Sequence, residues 1–425
     1  MKVLVVGGGG REHALAWALA CSPSVSEVHA APGNPGIASV GTCHPVGVGD
    51  IAGLVELAAR LAADLVVIGP EAPLAAGLAD ALAEHGIAAF GPKKSGARLE
   101  ASKTFAKQLM EFAEIPTAEA RTFESAAGAI AYVEELGSPV VIKADGLAAG
   151  KGVTVCDGPS EARAAIVEAM EQRRFGDAGN TILVEERMEG PELSILAFCD
   201  GTTVLPMPAA QDFKRALDGD LGPNTGGMGS YSPVPFATDA LVDEAMDRIL
   251  LPISDHLARI GRHYVGVIYA GLMLTEAGLK VVEFNCRFGD PETQAIVPRL
   301  ASDLGDLMAA TTQGSLAGMK VVCTDRACVS VVAVSGGYPD ADPLVTGFEI
   351  TGLAKAESPE LQVFHSGTAL RDEKLVTAGG RVLSVSALGD TITSARELAY
   401  RAIGRIDFEG MRYRSDIAER AAGQN

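Results

Sequence analysis

The stretch VVEFNCRFGDPETQ, residues 281–294, carries the strongest local signal in this chain. It begins as an apolar strand, and successive side chains of a strand point to opposite faces, so Glu283, Asn285 and Arg287 share one face. Two oxygen ligands followed by a guanidinium suit Mg²⁺ and phosphate oxygens. The Gly-Asp-Pro sequence at 289–291 then turns the chain. We therefore expect a strand end that binds Mg²⁺ through Glu283 and Asn285 and holds an oxyanion through Arg287. The alternative is an exposed polar strand face.

Length and composition restrict the class of protein around this segment. A chain of 425 residues, 48% apolar and 21% charged, is expected to fold into two to four globular domains. The net charge of −19 argues against a nucleic-acid or anionic-membrane partner. Seven cysteines without a CxxC pair indicate free thiols in a reducing compartment. The apolar run at the N-terminus is too short for a signal peptide. We expect a cytoplasmic monomer.

The first hundred residues alternate strand and helix patterns. Strands are predicted at 3–6, 28–30, 65–68 and 88–90, and helices at 12–20, 54–61 and 74–84. Several strands end in glycine turns. This order is typical of a doubly wound parallel sheet, in which ligands bind at the carboxyl ends of the strands.

The pattern changes after residue 101. A helix is predicted at 103–114, strands at 139–143, 153–156 and 181–186, and a hairpin at 272–274 and 279–285. Residues 211–235 are rich in Gly, Pro and Asn and are predicted to form a long functional loop. Strands at 329–334, 363–365 and 382–385 precede a helix at 393–405. The predicted domains are 1–101, 102–320 with a flap subdomain at about 117–190, and 321–425.

The motif GGGGREHA, residues 7–14, follows the first strand but does not fit a dinucleotide-binding turn. Glu12 stands where the third glycine belongs, and the second strand ends without the acidic residue that would bind a ribose. Two interpretations stay open. The turn either places backbone N–H groups around a phosphate or is a tight turn with no ligand.

The motif GLAAGKG, residues 146–152, is not a P-loop. Asp145 stands in the place of the first glycine, Gly152 replaces the required Ser or Thr, and a strand follows instead of a helix. It is predicted to be a flexible glycine loop that covers nucleotide phosphates, with Lys143 and Lys151 as counter-charges. An ordinary hairpin loop is the alternative.

The segment LVEERMEGPELS, residues 183–194, places Glu185 and Glu186 at the end of an apolar strand. A nucleotide needs backbone hydrogen bonds along a strand for its base and a carboxylate acceptor for its ribose, and Glu192 is the candidate acceptor. Paired acids at a strand end are also commonly just solvated, so the motif is weak alone.

The segment PNTGGMGSYSP, residues 223–233, predicts a compact nest of N–H donors that follows Asp212, Lys214 and Arg215. Such a nest can bind a carboxylate or a phosphate. Glycines can also serve only to permit unusual backbone angles.

Taken together, these motifs resemble the phosphoribosylamine–glycine ligases, ATP-grasp enzymes of purine biosynthesis. The resemblance covers nearly the whole chain, and RFGDPETQ at 287–294 is specific to that family. It implies an α/β and α+β multidomain fold: an N-terminal doubly wound parallel sheet (pre-ATP-grasp), a central ATP-grasp fold and a small C-terminal α+β domain.

The resemblance also implies roles for individual residues. ATP would be bound by one set of residues: Lys103, Lys143, Gly146, Gly150, Lys151, Gly152, Glu185, Glu186, Met188 and Glu192. Phosphoribosylamine would be bound by another set: Gly9, Gly10, Arg11, Glu12, Asn34 and Glu71. Glycine or the transferred phosphoryl group would be held by a third set of residues: Asp212, Asn224, Thr225, Gly226 and Gly227. Arg287 and Asp290 would complete that pocket. Glu283 and Asn285 would bind Mg²⁺ or Mn²⁺.

The reaction that the resemblance implies is activation of a carboxylate. Glycine attacks the γ-phosphorus of ATP, and the ribosyl amine then attacks glycyl phosphate. The strand before Glu283 reads YAGLML and has no carboxylate where many ATP-grasp enzymes have one, so the number of metal ions stays open. Two alternatives also stay open: another ATP-grasp ligase or carboxylase, and a catalytically silent nucleotide-binding protein.

Overall fold

A computed structural model describes residues 1–148, 152–341, 343–356 and 358–423. Its strands are β1 Lys2–Gly7, β2 Glu27–Pro32, β3 Thr42–Cys43, β4 Leu65–Ile68, β5 Ala89–Phe90, β6 Ala120–Phe123, β7 Val140–Ala144, β8 Val153–Cys156, β9 Ile182–Glu186, β10 Glu192–Cys199, β11 Val204–Pro206, β12 Gln211–Asp212, β13 Arg215–Leu217, β14 Leu221–Asn224, β15 Gly229–Ser232, β16 Gly266–Thr275, β17 Gly278–Asn285, β18 Ala327–Val334, β19 Leu361–His365, β20 Thr368–Arg371, β21 Lys374–Thr377 and β22 Arg381–Gly389.

The helices alternate with these strands in the first third of the chain and are more scattered afterwards. They are α1 Gly10–Cys21, α2 Ile51–Leu61, α3 Glu71–Ala76, α4 Leu78–Glu84, α5 Lys94–Ala101, α6 Lys103–Phe112, α7 Ala126–Leu136, α8 Pro159–Ile166, α9 Asp239–Ala245, α10 Leu251–Arg259, α11 Glu292–Ile296, α12 Leu304–Gln313, α13 Ile392–Ile403 and α14 Glu419–Ala422. Within the described residues, none of these helices is long and apolar enough to cross a membrane.

The N-terminal sheet is parallel, in the order β3-β2-β1-β4-β5, as the alternating pattern predicted. Strands β1 and β4 are buried almost throughout because helices cover both faces of such a sheet. The single helix predicted at 74–84 is wrong. Gly77 adopts a left-handed conformation, with φ of +99°, and divides that segment into α3 and α4.

Two antiparallel sheets form the centre of the molecule. One has the order β6-β9-β7-β8 and its own small apolar core, and the other has the order β11-β10-β16-β17. The predicted hairpin is present as β16 and β17, paired from Tyr269 with Asn285 to Thr275 with Gly278. The carboxyl end of β17 therefore delivers the segment 281–294 to the region between these sheets.

The C-terminal sheet has the order β12-β15-β18-β22-β19 and packs against α13. The prediction of a long loop without regular structure at 211–235 is wrong. That segment contains β12, β13, β14 and β15, and two of these strands extend the C-terminal sheet. The sheet thus joins residues from both sides of the boundary predicted near 320, and the domain boundaries stay predictions.

Candidate active site

A cavity of about 1200 Å³ lies between the β6–β9 sheet, the β16–β17 hairpin and the start of the C-terminal sheet. The end of β17 forms one wall through Val282, Glu283, Phe284 and Asn285. Successive side chains of a strand point to opposite faces of the sheet, so side chains on one face of β17 are held at a fixed spacing along this wall. The cavity is lined by residues that are far apart in the sequence.

Glu283 is the carboxylate around which the cations of this cavity gather. Burial alone would raise the pKa of its carboxyl, but the charges of Lys214, Lys143 and Lys103 outweigh burial and hold that pKa below its usual value. Lys143 Nζ also donates a hydrogen bond to the carbonyl of Val282 at 2.8 Å. Burial lowers the pKa of Lys103. The result is an anionic Glu283 beside several ammonium groups, which suits a polyphosphate together with a divalent cation.

Glu185 lies on the opposite side of the cavity and is 2% exposed. Its carboxylate oxygens pair with Lys143 at 2.9 Å and Lys107 at 3.3 Å. Lys107 Nζ also donates to Thr117 and Ala118, and burial lowers its pKa to about 8. Glu185 therefore holds two lysine side chains in place.

The other residues predicted at the nucleotide end also lie along the cavity. Glu186 pairs with Lys280, Glu192 pairs with Lys214 at 2.6 Å, and Met188 lies between them in the sequence. Gly146 and Gly152 line the cavity too. Gly150 and Lys151, both predicted to bind the nucleotide, lie outside the described residues.

Arg287 contacts Asn285 for a different reason from the one predicted. Strand β17 ends at Asn285, so a shared strand face cannot place Arg287. The chain turns there, and Arg287 Nη2 donates to Asn285 Oδ1 at 3.0 Å and to Glu100 Oε1 at 2.8 Å. Glu100 also accepts from the backbone N–H of Cys286 at 2.8 Å. Helix α5 thus holds the guanidinium at the cavity wall.

The donor set at the end of β17 fits Mg²⁺. Glu283 supplies a carboxylate and Asn285 an amide oxygen, and Mg²⁺ is commonly bound by one or two such groups together with phosphates and water. Asp212 Oδ1 is buried and has no hydrogen-bond partner among the described residues. No group of three or more His, Cys, Asp or Glu side chains arranged for a metal occurs in that part of the chain.

Asp212 is the most strongly perturbed carboxyl group of the cavity. Burial raises its pKa to about 8, although the ammonium of Lys214 lies 3.9 Å away and opposes the shift. The carboxylates of Glu292 and Glu192 act in the same direction as burial. The carboxylate form of Asp212 is therefore a stronger base than that of an ordinary aspartate.

Asp290 and the glycine-rich segment at 224–227 meet at the far end of the cavity. Arg381 Nη2 lies 3.1 Å from Asp290 Oδ2, and Arg381 Nη1 donates to the carbonyl of Gly226 at 2.6 Å. Burial would raise the pKa of Asp290, but the charges of Arg381 and Arg11 hold it below its usual value. Asn224, Thr225 and Gly226 line the cavity. Gly227, with φ of +107°, lies against Pro291.

The residues predicted for phosphoribosylamine divide into two groups. Arg11 and Glu71 line the cavity, whereas Gly9, Gly10, Glu12 and Asn34 are not among its lining residues. Glu12 accepts hydrogen bonds from Gly9 N–H and Arg11 Nε, both at 2.6 Å. Asn34 Nδ2 donates to carbonyls of residues 8 and 365 at 2.9 and 2.8 Å. The side chains of Glu12 and Asn34 thus stabilise the turn by hydrogen bonds within the protein. The role of these four residues in substrate binding stays a prediction.

Sequence reasoning missed several residues that line the cavity: Glu100, Lys107, Tyr269, Glu292 and Arg381. Glu292 lies within residues 281–294, two positions after Asp290, and accepts hydrogen bonds from Tyr269 Oη and the Ser194 hydroxyl. Its place in that segment could have identified it from the sequence. The others come from helices and strands whose contact with this cavity depends on tertiary packing. No local pattern distinguishes them.

The fold is that of an ATP-grasp protein, since residues 101–293 match an ATP-grasp domain model. The chain matches, with a TM-score of 0.73 and 13% identity, a solved biotin carboxylase–β,γ-ATP complex from Campylobacter jejuni, over 99% of this chain and 98% of that one. At that identity the match concerns the fold alone.

More similar proteins define the family. Residues 1–100, 101–293 and 328–420 match models of phosphoribosylglycinamide synthetase, its N domain, its ATP-grasp (A) domain and its C domain respectively. A phosphoribosylamine–glycine ligase from Streptomyces coelicolor is 49% identical over 100% of both chains, and one from Caulobacter vibrioides is 49% identical over 100% of this chain and 99% of its own. The solved Thermotoga maritima phosphoribosylamine–glycine ligase has a TM-score of 0.82 and 36% identity, over 98% of this chain and 100% of that one. The chain belongs to the phosphoribosylglycinamide synthetase family. The predicted family and fold class are thereby confirmed.

Proposed function

We propose that this chain is a phosphoribosylamine–glycine ligase. It joins glycine to 5-phosphoribosylamine with consumption of ATP, and it forms glycinamide ribonucleotide, ADP and phosphate for purine biosynthesis. The observation that carries the proposal is the anionic Glu283 among Lys103, Lys143 and Lys214 in the cavity. Charge neutralisation and positioning are what phosphoryl transfer requires of a protein.

The nucleotide lies between the β6–β9 sheet and the β16–β17 hairpin in this proposal. Lys103 and Lys143 neutralise its phosphates, and Glu185 keeps Lys143 oriented toward them. Glu283 and Asn285 would hold Mg²⁺ or Mn²⁺, which supplies charge neutralisation at the phosphates when bound. Glu186, Met188 and Glu192 flank the base and the ribose, and Gly146 and Gly152 border the phosphates.

Glycine lies beside Asp212 and the segment 224–227. Its carboxylate oxygen attacks the γ-phosphorus, the bond to ADP breaks, and glycyl phosphate forms. Arg287 and Asp290 border this position, and the guanidinium of Arg287 faces the developing negative charge. The amine of phosphoribosylamine then attacks the acyl carbon, phosphate leaves, and the amine loses a proton. Burial raises the pKa of Asp212, so its carboxylate form is a stronger base than that of an ordinary aspartate and is suited to accept that proton.

Phosphoribosylamine approaches from the side of the N-terminal sheet, where Arg11 and Glu71 border the cavity. Gly9, Gly10, Glu12 and Asn34 fix the turn that presents Arg11. Gly227 fixes the facing loop against Pro291. We also propose a cytoplasmic location, which the seven free cysteines support. The monomeric state stays a prediction, and sedimentation would test it.

Measurement of ADP release tests the proposal. With ATP, Mg²⁺ and phosphoribosylamine present, ADP should form only when glycine is added, and glycinamide ribonucleotide should accumulate in equal amount. Parallel reactions with Mn²⁺ test the second metal. ADP formation that ignores glycine, or AMP as product, would contradict the reaction. Absence of any turnover would favour a silent nucleotide-binding protein.

A further inference from the structure

The hairpin formed by β13 and β14 separates the two sequence segments that border the proposed glycine position. It starts directly after Lys214 and ends at Asn224, and residues 218–220 at its turn line the cavity. Its apolar side chains are not buried, since Leu217 is 47% exposed and Leu221 is 63% exposed. A two-stranded hairpin is marginally stable by itself. Its position must therefore be fixed by contacts with the rest of the protein.

Arg414 is the side chain that provides these contacts. It is 1% exposed, and its Nε and Nη2 bind the two carboxylate oxygens of Asp416, each at 2.7 Å. Its Nη1 donates to Asp220 Oδ1 at 2.9 Å and to the carbonyl of Arg215 at 3.1 Å. The guanidinium carbon lies 5.0 Å from the centre of the Phe213 ring. One buried cation thus contacts both the hairpin and Phe213, which lies two residues before it.

The segment around Arg414 is itself held firmly. Tyr400 Oη on α13 donates to the carbonyl of Arg414 at 2.7 Å and accepts from the N–H of Ile417 at 3.0 Å. Asp416 also accepts from the N–H of Gly219 at 2.8 Å. The backbone N–H of Ser415 donates to Asp218 at 2.8 Å. The C-terminal segment therefore offers the hairpin a rigid support.

Movement of the hairpin would reach the cavity directly. Phe213, which the guanidinium covers, stands between Asp212 and Lys214 in the sequence. The carbonyl of Lys214 accepts hydrogen bonds from the N–H and the hydroxyl of Thr225, at 2.7 and 2.8 Å. The two ends of the hairpin are thereby tied to each other. Arg414 itself is not among the residues that line the cavity, so any effect on catalysis is indirect.

We propose that Arg414 is a positioning residue of the ligase site. It holds the β13–β14 hairpin so that Asp212, Lys214 and Asn224 keep their places around glycine. This inference rests on the proposed function. A lysine cannot replace Arg414, because a single ammonium cannot span the fork between Asp416 and Asp220.

The test compares Arg414→Met and Arg414→Lys with a matched control, Arg401→Lys, which changes an exposed arginine on α13. We expect both Arg414 variants to raise the KM for glycine at least tenfold. Trypsin should also cleave after Lys214 and Arg215 at least ten times faster than in wild type, as mass spectrometry of the fragments would show. The control should match wild type in both measurements. Asp220→Asn, which removes one partner at the exposed edge, should show a smaller change in the same direction and serves if Arg414→Met does not fold.

This inference would be overturned if folded Arg414→Lys and Asp220→Asn both kept the wild-type KM for glycine and the wild-type cleavage rate, in an experiment in which the wild type ligates glycine. A lower melting temperature with no change in KM or in cleavage at 214–215 would also overturn it, since that is the signature of a purely structural residue. A wild-type chain without glycine-dependent ADP release would instead overturn the proposed function.

Discussion

Residues 7–14 and residues 281–294 both carry charged side chains at the carboxyl end of a strand, but they differ in how many of these side chains line the cavity. The first motif begins at the last residue of β1, contains four glycines and contributes Arg11 to the cavity, whereas the second includes the end of β17 and contains one glycine. In the first motif Glu12 is 3% exposed, its oxygens are bonded within the motif, and it does not line the cavity. In the second, Glu283 and Arg287 line the cavity. A list of residue types therefore does not show which motif faces a ligand.

The glycines explain the difference. A side chain at Gly7, where φ is +126°, would place its Cβ 2.5 Å from Cγ of Glu12, and one at Gly69 would place it 2.2 Å from Oε1 of Glu12. These glycines make room for a carboxylate of the same chain, which then caps helix α1 by accepting from Gly9 N–H. A glycine turn whose sequence suggests phosphate binding can thus be occupied by a carboxylate of the same chain.

The largest expected effect concerns Glu283. Glu283→Ala should lower kcat by at least about 10³-fold, about 4 kcal/mol, because several cations then lose the carboxylate that balances them and a metal loses a ligand. ADP release at saturating glycine measures the loss. Glu276→Ala, at the exposed turn of the same hairpin, is the matched control. A cooperative thermal transition shows that the variant folds. Unchanged turnover at saturating Mg²⁺ would remove Glu283 from the metal role.

A smaller loss is expected from Arg287→Lys. The substitution keeps the charge but removes the planar guanidinium, whose Nη2 contacts Asn285 and Glu100 while its Nη1 donates to the carbonyl of Phe288. We therefore expect kcat/KM to fall by about 10- to 100-fold, or about 1.4 to 2.7 kcal/mol. Arg248→Lys, in an exposed pair with Glu244, should have no effect. A fully active Arg287→Lys would mean that residue 287 contributes only its positive charge and that the shape of the guanidinium is not required.

The first motif should respond in stability instead of turnover. Glu12→Gln preserves size but replaces an oxygen acceptor with an amide donor facing Gly9 N–H or Arg11. We expect the free energy of unfolding in urea to fall by about 2 kcal/mol. Glu56→Gln, in an exposed pair with Arg60, should change it by less than about 0.5 kcal/mol. A tenfold rise in the KM for phosphoribosylamine without loss of stability would show that Glu12 faces substrate, and the contrast between the two motifs would fail.

Much of the fold followed from the sequence, because strand and helix periodicity is local. The parallel sheet, the β16–β17 hairpin and the α13 helix lie where the pattern predicted them. The strands inside 211–235 could not be predicted, since they are two to four residues long, and β12 and β15 join a sheet only because β15 pairs with β18, about 100 residues away. Glu100 was missed for a related reason. It is an ordinary helical glutamate until α5 packs against the end of β17.

The last expected effect, similar in size to that of Glu12→Gln, tests whether the first motif stays closed as the pH changes. His13 is 6% exposed, and its Nδ1 accepts from the N–H of His365 at 2.8 Å, so the ring must be neutral there. Burial, with a further contribution from the His365 charge, lowers the pKa of His13 to about 3 from a usual 6.5. The unfolded chain therefore binds a proton below pH 6.5 that the folded chain does not. The stability is complete above pH 6.5 and is lost as the pH falls toward 3.

Between pH 7.5 and 5 this linkage should cost the wild type about 2 kcal/mol. His13→Asn should remove that part of the pH dependence, because its amide oxygen can accept the same N–H but does not titrate in this range. Urea unfolding at several pH values measures both slopes, and His85→Asn, at an exposed histidine, should retain the wild-type slope. Equal slopes for wild type and His13→Asn would mean that the imidazole is protonated in the folded chain. The turn at residues 7–14 would then be open to water, as a ligand-binding turn must be, and not closed by its own side chains.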